Sequence, residues 1–295
     1  MTAPLLDPKL LAKLGTTQLR ARAVVEGILS GLHRSPHQGQ SVEFAEHKEY
    51  APGDEIRHLD WKAYGKFDRY YVKRYEHETN LRGVLLVDAS ASMGYRSGAL
   101  SKLEVATTLA GAMAYLLVRQ QDAAGLTISA GGALQEVPAR ASAGHLNLIL
   151  GRLEGLEAAG TTDLLTAADH VAEKVRGRAL VCVFSDLLDD RAEAFKRLLS
   201  LRQRRNDVAL FHVVDPAELE FPFDDPTLFL SMEDAQRIEV NPREIRESYL
   251  EEFHGFLENC RRACAEADVD YERVRTDEPL DQVLLRFLAR RQGRR

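Results

Sequence analysis

Cysteine is scarce in this chain, which has three among its 295 residues. Three thiols are too few for a disulfide framework in a chain of this length, so we expect a protein of a reducing compartment. Cys182 lies inside an apolar run, and Cys260 and Cys264 continue an apolar stripe along one face of a predicted helix. Because no histidine stands at the spacing that would complete a zinc site, we interpret all three cysteines as core residues.

Basic charge is not in excess, because 45 Asp and Glu residues outnumber 39 Lys and Arg residues and give a formal net charge of −6. Nucleic acid is therefore not an expected partner, since its binding needs a basic surface. Long apolar runs are also lacking, and none approaches the ~20 residues that a helix needs to cross a bilayer. Charged residues interrupt the stretch 5–32, which argues against a signal peptide. We expect a cytoplasmic protein without a membrane span.

Short apolar runs alternate with amphipathic stretches from Gly83 onward. The clearest runs are Val84–Val87, Leu126–Ile128, Ala179–Phe184 and Val208–Val214. Between them, apolar residues recur every three or four positions, which is typical of helices packed on one face. Strands that are apolar throughout have helices on both faces. The sequence therefore predicts an α/β fold with a doubly wound, mostly parallel sheet flanked by helices and connected by right-handed crossovers.

We divide the chain at residue 80. Residues 1–79 are predicted to form an N-terminal segment, with an amphipathic helix followed by a stretch rich in charged and aromatic residues at 41–78. Residues 80–292 are predicted to form the α/β domain. A loop rich in proline and acidic residues follows Pro216, and a predicted strand pair, Leu228–Leu230 with Arg237–Val240, comes after it. This pattern indicates an insertion around 216–242.

Oxygen-bearing side chains stand where three predicted connections meet one edge of this sheet. Asp88, Ser90 and Ser92 follow the first strand at alternate positions, which point the same way in an extended segment. Thr162 lies in a loop that enters a helix, and Asp186 follows the strand that ends at Phe184 in the same way as Asp88 follows its own strand. Ligands bind beyond the carboxyl ends of strands in such sheets.

Carboxylate and hydroxyl oxygens are the ligands of a hard divalent cation. The sequence therefore predicts a metal site of the residues Asp88, Ser90, Ser92, Thr162 and Asp186. Mg²⁺ is the expected ion, with Mn²⁺ and Ca²⁺ as alternatives. A cation held in this way is incompletely neutralised and coordinated, which suits an acidic side chain from a protein partner as the last ligand.

Catalysis is the competing interpretation of the same residues. A magnesium-dependent metallohydrolase would use the cation to activate water, and it would need more carboxylates or a Lys or His at a strand end. The extra acids nearby in the sequence are Asp163, Asp189 and Asp190, which helix capping also explains. Glycine-rich phosphate loops do not occur. We therefore predict a binding protein rather than an enzyme.

The five predicted ligands resemble the metal-ion-dependent adhesion site of the von Willebrand factor type A superfamily, which uses Asp-x-Ser-x-Ser, a later Thr and a later Asp. Leu187 follows Asp186 where that superfamily usually has glycine. The segments Ser41–Trp61 and Tyr71–Glu76 are similar to the bacterial family known as domain of unknown function fifty-eight. Members of that family are typically encoded beside MoxR-type AAA+ ATPases, so the resemblance implies such an ATPase or its client as partner, in remodelling, maturation or complex assembly.

Four residues of the charged and aromatic segment carry a second hypothesis. They are Asp54, Arg57, Asp60 and Trp61. They form either a partner-docking surface or a salt-bridged scaffold held by aromatic side chains. We favour the scaffold, because paired charges beside large aromatic residues usually serve packing.

Overall fold

The computed structural model of the protein describes residues 7–32, 47–49, 71–73, 81–175, 177–189, 191–233 and 236–292. The chain forms two compact units, one made of Met1–Gly31 with Leu81–Arg295 and the other of Leu32–Asn80. In the second unit the described residues form two short antiparallel strands, β1 (His47–Glu49) and β2 (Tyr71–Lys73). The predicted docking or scaffold residues Asp54, Arg57, Asp60 and Trp61 lie outside the described residues, and that hypothesis stays a prediction.

The first unit is built on a six-stranded sheet. Its described strands are, in chain order, β3 (Arg82–Asp88), β4 (Ala123–Ala130), β5 (Ala133–Arg140), β6 (Ala179–Ser185), β7 (Asp207–Val214), the separate hairpin strands β8 (Thr227–Leu230) and β9 (Arg237–Val240), and β10 (Asp270–Arg275). The order across the sheet is β10-β7-β6-β3-β4-β5. All neighbours are parallel except β4 and β5, which pair antiparallel. The strand order reverses between β3 and β6, which is where ligands bind in such sheets.

Helices connect the strands of this unit. The described α-helices are α1 (Pro8–Leu11), α2 (Thr17–Leu32), α3 (Lys102–Arg119), α4 (Ala143–Glu154), α5 (Leu164–Lys174), α6 (Ala192–Ser200), α7 (Pro216–Glu220), α8 (Pro242–Glu266) and α9 (Leu280–Gln292). Single 3₁₀ turns span Ala91–Gly94 and Leu201–Arg204. The β4–β5 connection is the two-residue turn Gly131-Gly132, in which both residues have positive φ. Glycine adopts such angles without steric cost, which explains the tight hairpin.

Alternate residues of the central strands face two different cores. Leu85 and Phe184 belong to a core covered by α2, α3, α4 and α9, whereas Leu86 and Val183 belong to a core covered by α5, α6 and α8. The sheet is therefore helix-covered on both faces, and the predicted α/β, doubly wound, mostly parallel class is confirmed.

All three cysteines are free and buried in these two cores. Cys182 faces the first core from β6, whereas Cys260 and Cys264 face the second core from α8. Burial raises the pKa of the Cys260 thiol to about 11, so it stays protonated and apolar in character at neutral pH. Their prediction as core residues is confirmed.

Helix α2 packs in the unit that contains the sheet. Val24, Val25 and Ile28 are buried in the first core. Arg20 also reaches the carboxylate of Glu104 on α3 at 3.4 Å. This grouping differs from the predicted division, which kept residues 1–79 together. The apolar stripe of α2 packs in the first core, on the helices that cover the sheet. An apolar stripe in a sequence predicts a buried helix face but does not identify the surface against which that face packs.

Candidate metal centre

The first loop of the candidate site follows β3. Asp88 is buried, at 1% exposure, and its carboxylate accepts hydrogen bonds from the Ser90 amide at 2.9 Å and the Ser185 hydroxyl at 2.7 Å. The hydroxyls of Ser90 and Ser92 lie 3.1 Å apart. The chain turns sharply here because the Asp88 side chain substitutes for a backbone acceptor, as Asp does at turns. Three of the predicted ligands are thus held side by side.

The second loop follows β6 and is tied to the first through Ser185. The Ser185 hydroxyl donates to Asp88 and accepts from the Leu187 amide at 2.9 Å. Asp186, 2% exposed, accepts from the Leu188 amide at 3.2 Å. Leu187 has φ of 58°, a conformation that glycine adopts without cost and other residues adopt at about 1–2 kcal/mol. The side chain of Leu187 is buried in the second core.

The third loop carries Thr162 and packs against the first by backbone hydrogen bonds. The Ala91 amide donates to the Gly160 carbonyl at 2.9 Å, and the Ala159 amide donates to the Ala89 carbonyl at 2.9 Å. Gly160 has φ of 72°, and a Cβ there would lie 2.3 Å from the Gly131 Cα. Only glycine fits this position, so the sequence at Gly160 sets how closely Thr162 approaches the sheet edge.

Arg191 joins the second and third loops. Its guanidinium contacts Asp163 at 2.7 Å and Asp189 at 2.9 Å. Asp163 caps α5 by accepting from the Thr166 amide, and Asp189 accepts from the Leu164 amide. Burial would raise the pKa of Asp163, but the hydrogen bonds that Asp163 accepts from Thr166 and Arg191 outweigh burial and hold this pKa below its ordinary value. The capping role expected for both acids is present, and Asp190 lies outside the described residues.

Lys102 is a site residue that sequence reasoning missed. It is the first residue of α3, it is 1% exposed, and its Nζ lies 2.7 Å from both Asp186 and Glu218. Burial would lower the pKa of Lys102, but attraction to the two carboxylates outweighs it and raises the pKa above its ordinary value. One signal in the sequence was available: a lysine in the first turn of a helix opposes the helix dipole and therefore needs a nearby anion.

The donor set has excess negative charge. Burial raises the pKa of Asp88 to about 6, and repulsion by Asp186 adds to this effect. In the described residues no group of three or more His, Cys, Asp or Glu is placed to hold a metal ion. The set instead combines two carboxylates with neighbouring hydroxyls, which is the chemistry that Mg²⁺ accepts when it keeps part of its water shell. These residues therefore fit a divalent cation.

The fold and the sheet-edge position of these residues define an α/β protein with a candidate oxygen-ligand site at the strand-order reversal. A family model described as "Protein of unknown function DUF58" matches residues 46–255, and the chain belongs to this family. The protein "Uncharacterized protein Mb1516" of Mycobacterium bovis is 29% identical over 219 residues, which cover 73% of this chain and 68% of that protein.

The solved structures that are similar to the chain include the following two. One is the aerotolerance-related membrane protein from Bacteroides fragilis, with a TM-score of 0.50, 18% identity, and coverage of 73% of this chain and 100% of that one. The other is the SpRpn10 VWA domain, with a TM-score of 0.39, 12% identity, and coverage of 69% and 93%. At such identities the first similarity supports the fold alone. Within the described part of this chain, no helix is long and apolar enough to cross a membrane.

Proposed function

We propose that this protein is a metal-ion-dependent protein-binding adaptor and not an enzyme. The observation that carries the proposal is geometric. Asp88, Ser90 and Ser92 lie together after β3, and Ser185 ties Asp88 to the loop of Asp186, at the edge where the strand order reverses. This arrangement supports the interpretation of these residues as the adhesion-site pattern that the sequence resembles.

The five predicted ligands have different parts in the proposed site. Ser90, Ser92 and Thr162 would contribute hydroxyl oxygens, while Asp88 and Asp186 would contribute negative charge. A bound divalent cation would supply an electrophilic centre that attracts a carboxylate. The buried hydrogen bonds of Asp88 keep its side chain oriented, so little ordering is needed when a cation binds. The partner proposed from the family resemblance is a MoxR-type AAA+ ATPase or its client.

A metallohydrolase is the second candidate, and Lys102 is the observation that bears on it. A lysine beside the site is one of the groups that such an enzyme would use. However, attraction to Asp186 and Glu218 raises the pKa of Lys102, so its ammonium has no lone pair to act as a base at neutral pH. Its two ion pairs also hold it in place. We therefore favour binding over catalysis.

The test is a pull-down of a MoxR-type AAA+ ATPase with and without EDTA. Wild type, Asp88→Ala and Glu251→Ala are compared, since Glu251 is an exposed carboxylate of α8 that lies outside the candidate site. The proposal expects capture by wild type and Glu251→Ala in Mg²⁺, and loss of capture in EDTA or with Asp88→Ala. Capture that ignores both changes would overturn metal dependence. Mg²⁺-dependent phosphatase turnover lost with Asp88→Ala would favour the hydrolase instead.

A further inference from the structure

Strand β10 is an edge of the six-stranded sheet. It pairs with β7 on one side, and no other strand of the described residues pairs with its second side. Helix α8 packs in the core on one face of the sheet, and helix α9 packs in the core on the other face. An edge strand leaves part of its backbone without sheet partners, and another chain can pair with such a backbone.

The backbone of β10 points alternately toward β7 and away from it. The Thr276 amide, one residue past β10, donates to the last carbonyl of β7 at 3.0 Å. The Arg275 amide instead donates to the Glu278 carboxylate at 2.8 Å, and the Arg275 carbonyl accepts from the Glu278 amide at 3.3 Å. Because successive residues alternate, the amides and carbonyls of Tyr271 and Arg273 also face away from β7. Within the described residues, no hydrogen bond reaches these groups.

A groove of about 490 Å³ follows this open edge. Residues of β10 from Tyr271 to Arg275 line it, together with one side of α8 from His254 to Arg261 and with Arg286 and Arg290 of α9. Since α8 and α9 cover opposite faces of the sheet, a groove that both helices border lies around its edge. Five residues of an extended strand span about 16 Å, so the groove has the length for a short extended peptide.

The groove has an excess of positive charge. Five arginines and three glutamates line it, although the whole chain has a formal net charge of −6. Arg286 contacts Glu272 at 3.1 Å and Glu278 at 2.9 Å, so part of this charge is neutralised within the chain. Arg273 is exposed, and in the described part of the chain no carboxylate lies within 4.0 Å of its guanidinium. Its charge is therefore available to an anionic group of a partner.

The open backbone and the free arginine together define the occupant. A helix would leave the amides of Tyr271 and Arg273 unpaired, because its own backbone groups are already bonded to each other. A second copy of this chain would bring two arginine-rich edges together, and like charges on paired strands are unfavourable. An extended acidic segment offers both main-chain hydrogen bonds and a carboxylate for the guanidinium.

We propose that β10 is a docking edge for an extended acidic segment of a protein partner. The segment adds to the sheet as a further strand, exchanges main-chain hydrogen bonds with Tyr271 and Arg273, and pairs a carboxylate with the guanidinium of Arg273. No residue of the candidate metal site takes part. The inference is therefore independent of the proposed function, and binding at this edge needs no cation.

The test uses the full chain in EDTA and a fluorescein-labelled hexapeptide of alternating glutamate and valine. Two matched peptides are compared with it by fluorescence polarisation. One has lysine in place of glutamate, and the other has a methyl group on every backbone nitrogen, which keeps the charge but removes the main-chain donors. Arg273→Glu is compared with Arg152→Glu, since Arg152 is exposed on α4, a helix that does not line the groove.

Wild type and Arg152→Glu are expected to bind the glutamate peptide at least about ten-fold more tightly than either matched peptide. Arg273→Glu should prefer the lysine peptide, a reversal that a folding defect cannot produce. Amide hydrogen exchange, followed by NMR, should be fast at Tyr271 and Arg273 in the free chain and slow when the glutamate peptide binds. The amides of Glu272 and Val274 should be protected throughout, because they face β7.

Four results would overturn the inference. Equal affinity for the methylated peptide would show charge attraction without strand addition, and unchanged peptide preference in Arg273→Glu would exclude the predicted ion pair. Slow exchange at Tyr271 and Arg273 in the free chain would show that the chain itself covers this edge. Failure of wild type to bind the glutamate peptide would exclude docking, and self-association of Arg273→Val would then assign Arg273 to the protection of an open edge.

Discussion

The ammonium of Lys102 lies 2.7 Å from the carboxylate of Asp186, and both side chains are almost completely buried. The same ammonium contacts Glu218, whose second oxygen accepts from the Asp215 amide at 2.8 Å. The start of α3, the end of β6 and helix α7 are therefore joined by one buried ionic group. The candidate metal site thus has a permanent cation on one side, which neutralises Asp186 but makes no contact with Asp88.

We predict that Lys102→Met destabilises the protein by about 3–5 kcal/mol, because it leaves two carboxylates without their partner in a buried position. Urea unfolding at pH 7 in EDTA measures this loss. Lys196→Met on α6 is the control, since Lys196 is exposed and should change stability by less than about 0.5 kcal/mol. A loss below 1 kcal/mol for Lys102→Met would show that the ion pair contributes little to folding.

Gly160→Ala should impair the site as well as the fold. The new Cβ would lie 2.3 Å from the Gly131 Cα, and the backbone has φ of 72°, so the third loop must move. We expect a loss of about 2 kcal/mol or more from backbone strain and the clash. Cation affinity should also fall, because Thr162 is displaced.

The control for this change is Gly151→Ala. Gly151 lies within α4, and nothing would contact an added Cβ within 4 Å. Alanine there should stabilise the helix by about 0.5–1 kcal/mol and leave cation affinity unchanged. Thermal unfolding and Mn²⁺ titration of both variants check the prediction. Equal behaviour of the two variants would mean that the third loop tolerates displacement.

The sequence was sufficient for the parts of this structure that depend on neighbouring residues. The run Val84–Val87 predicted β3, which the structure extends to Arg82–Asp88. The Gly131-Gly132 pair that joins β4 and β5 is itself a local hairpin signal in the sequence. Asp88 and Ser90 also lie two residues apart, so their hydrogen bond depends on a local turn. Such features follow from periodicity and turn chemistry alone.

The contacts that surround the candidate site depend on long-range packing, which has no local signal. Lys102 and Asp186 are 84 residues apart, and Ser185 and Asp88 are 97 apart. Helix α7, which positions Glu218, falls in a segment predicted only as a loop. The Thr162 hydroxyl donates to the Glu233 carboxylate at 2.8 Å across 71 residues of sequence, so this contact also depends on tertiary packing.

His212 should make the stability of the protein depend on pH. Burial lowers the pKa of His212 to about 4, because the ring is enclosed between Phe256 and Tyr271 and its Nδ1 lies 2.9 Å from the Tyr271 hydroxyl. Since the folded pKa is below the unfolded value of about 6.5, protonation favours the unfolded chain. Stability is complete above pH 6.5 and falls by about 3 kcal/mol as the pH drops to 4.

The measurement is urea unfolding between pH 7 and 4.5. His212→Asn removes the titrating group and should flatten this part of the profile, although its stability at pH 7 is lower because ring contacts are lost. His254→Asn is the control, because His254 is exposed on α8 and should leave the profile unchanged. The same slope in His212→Asn and wild type would assign the acid sensitivity to other groups.

Cation binding should stabilise the folded protein, because the candidate ligands come together only when the three loops are in place. A cation at one hundred times its dissociation constant adds about 2.7 kcal/mol to the free energy of unfolding if it binds only the native state.

We therefore expect the thermal midpoint of wild type to rise with Mg²⁺ and to return to its original value with EDTA. Asp88→Ala should show no rise, since it lacks a carboxylate at the centre of the first loop. Glu251→Ala should respond as wild type does. A Mg²⁺ response that persists in Asp88→Ala would mean that the cation binds elsewhere on the chain, because this substitution removes the only carboxylate that is tied to both Ser90 and Ser185 in the described part of the protein.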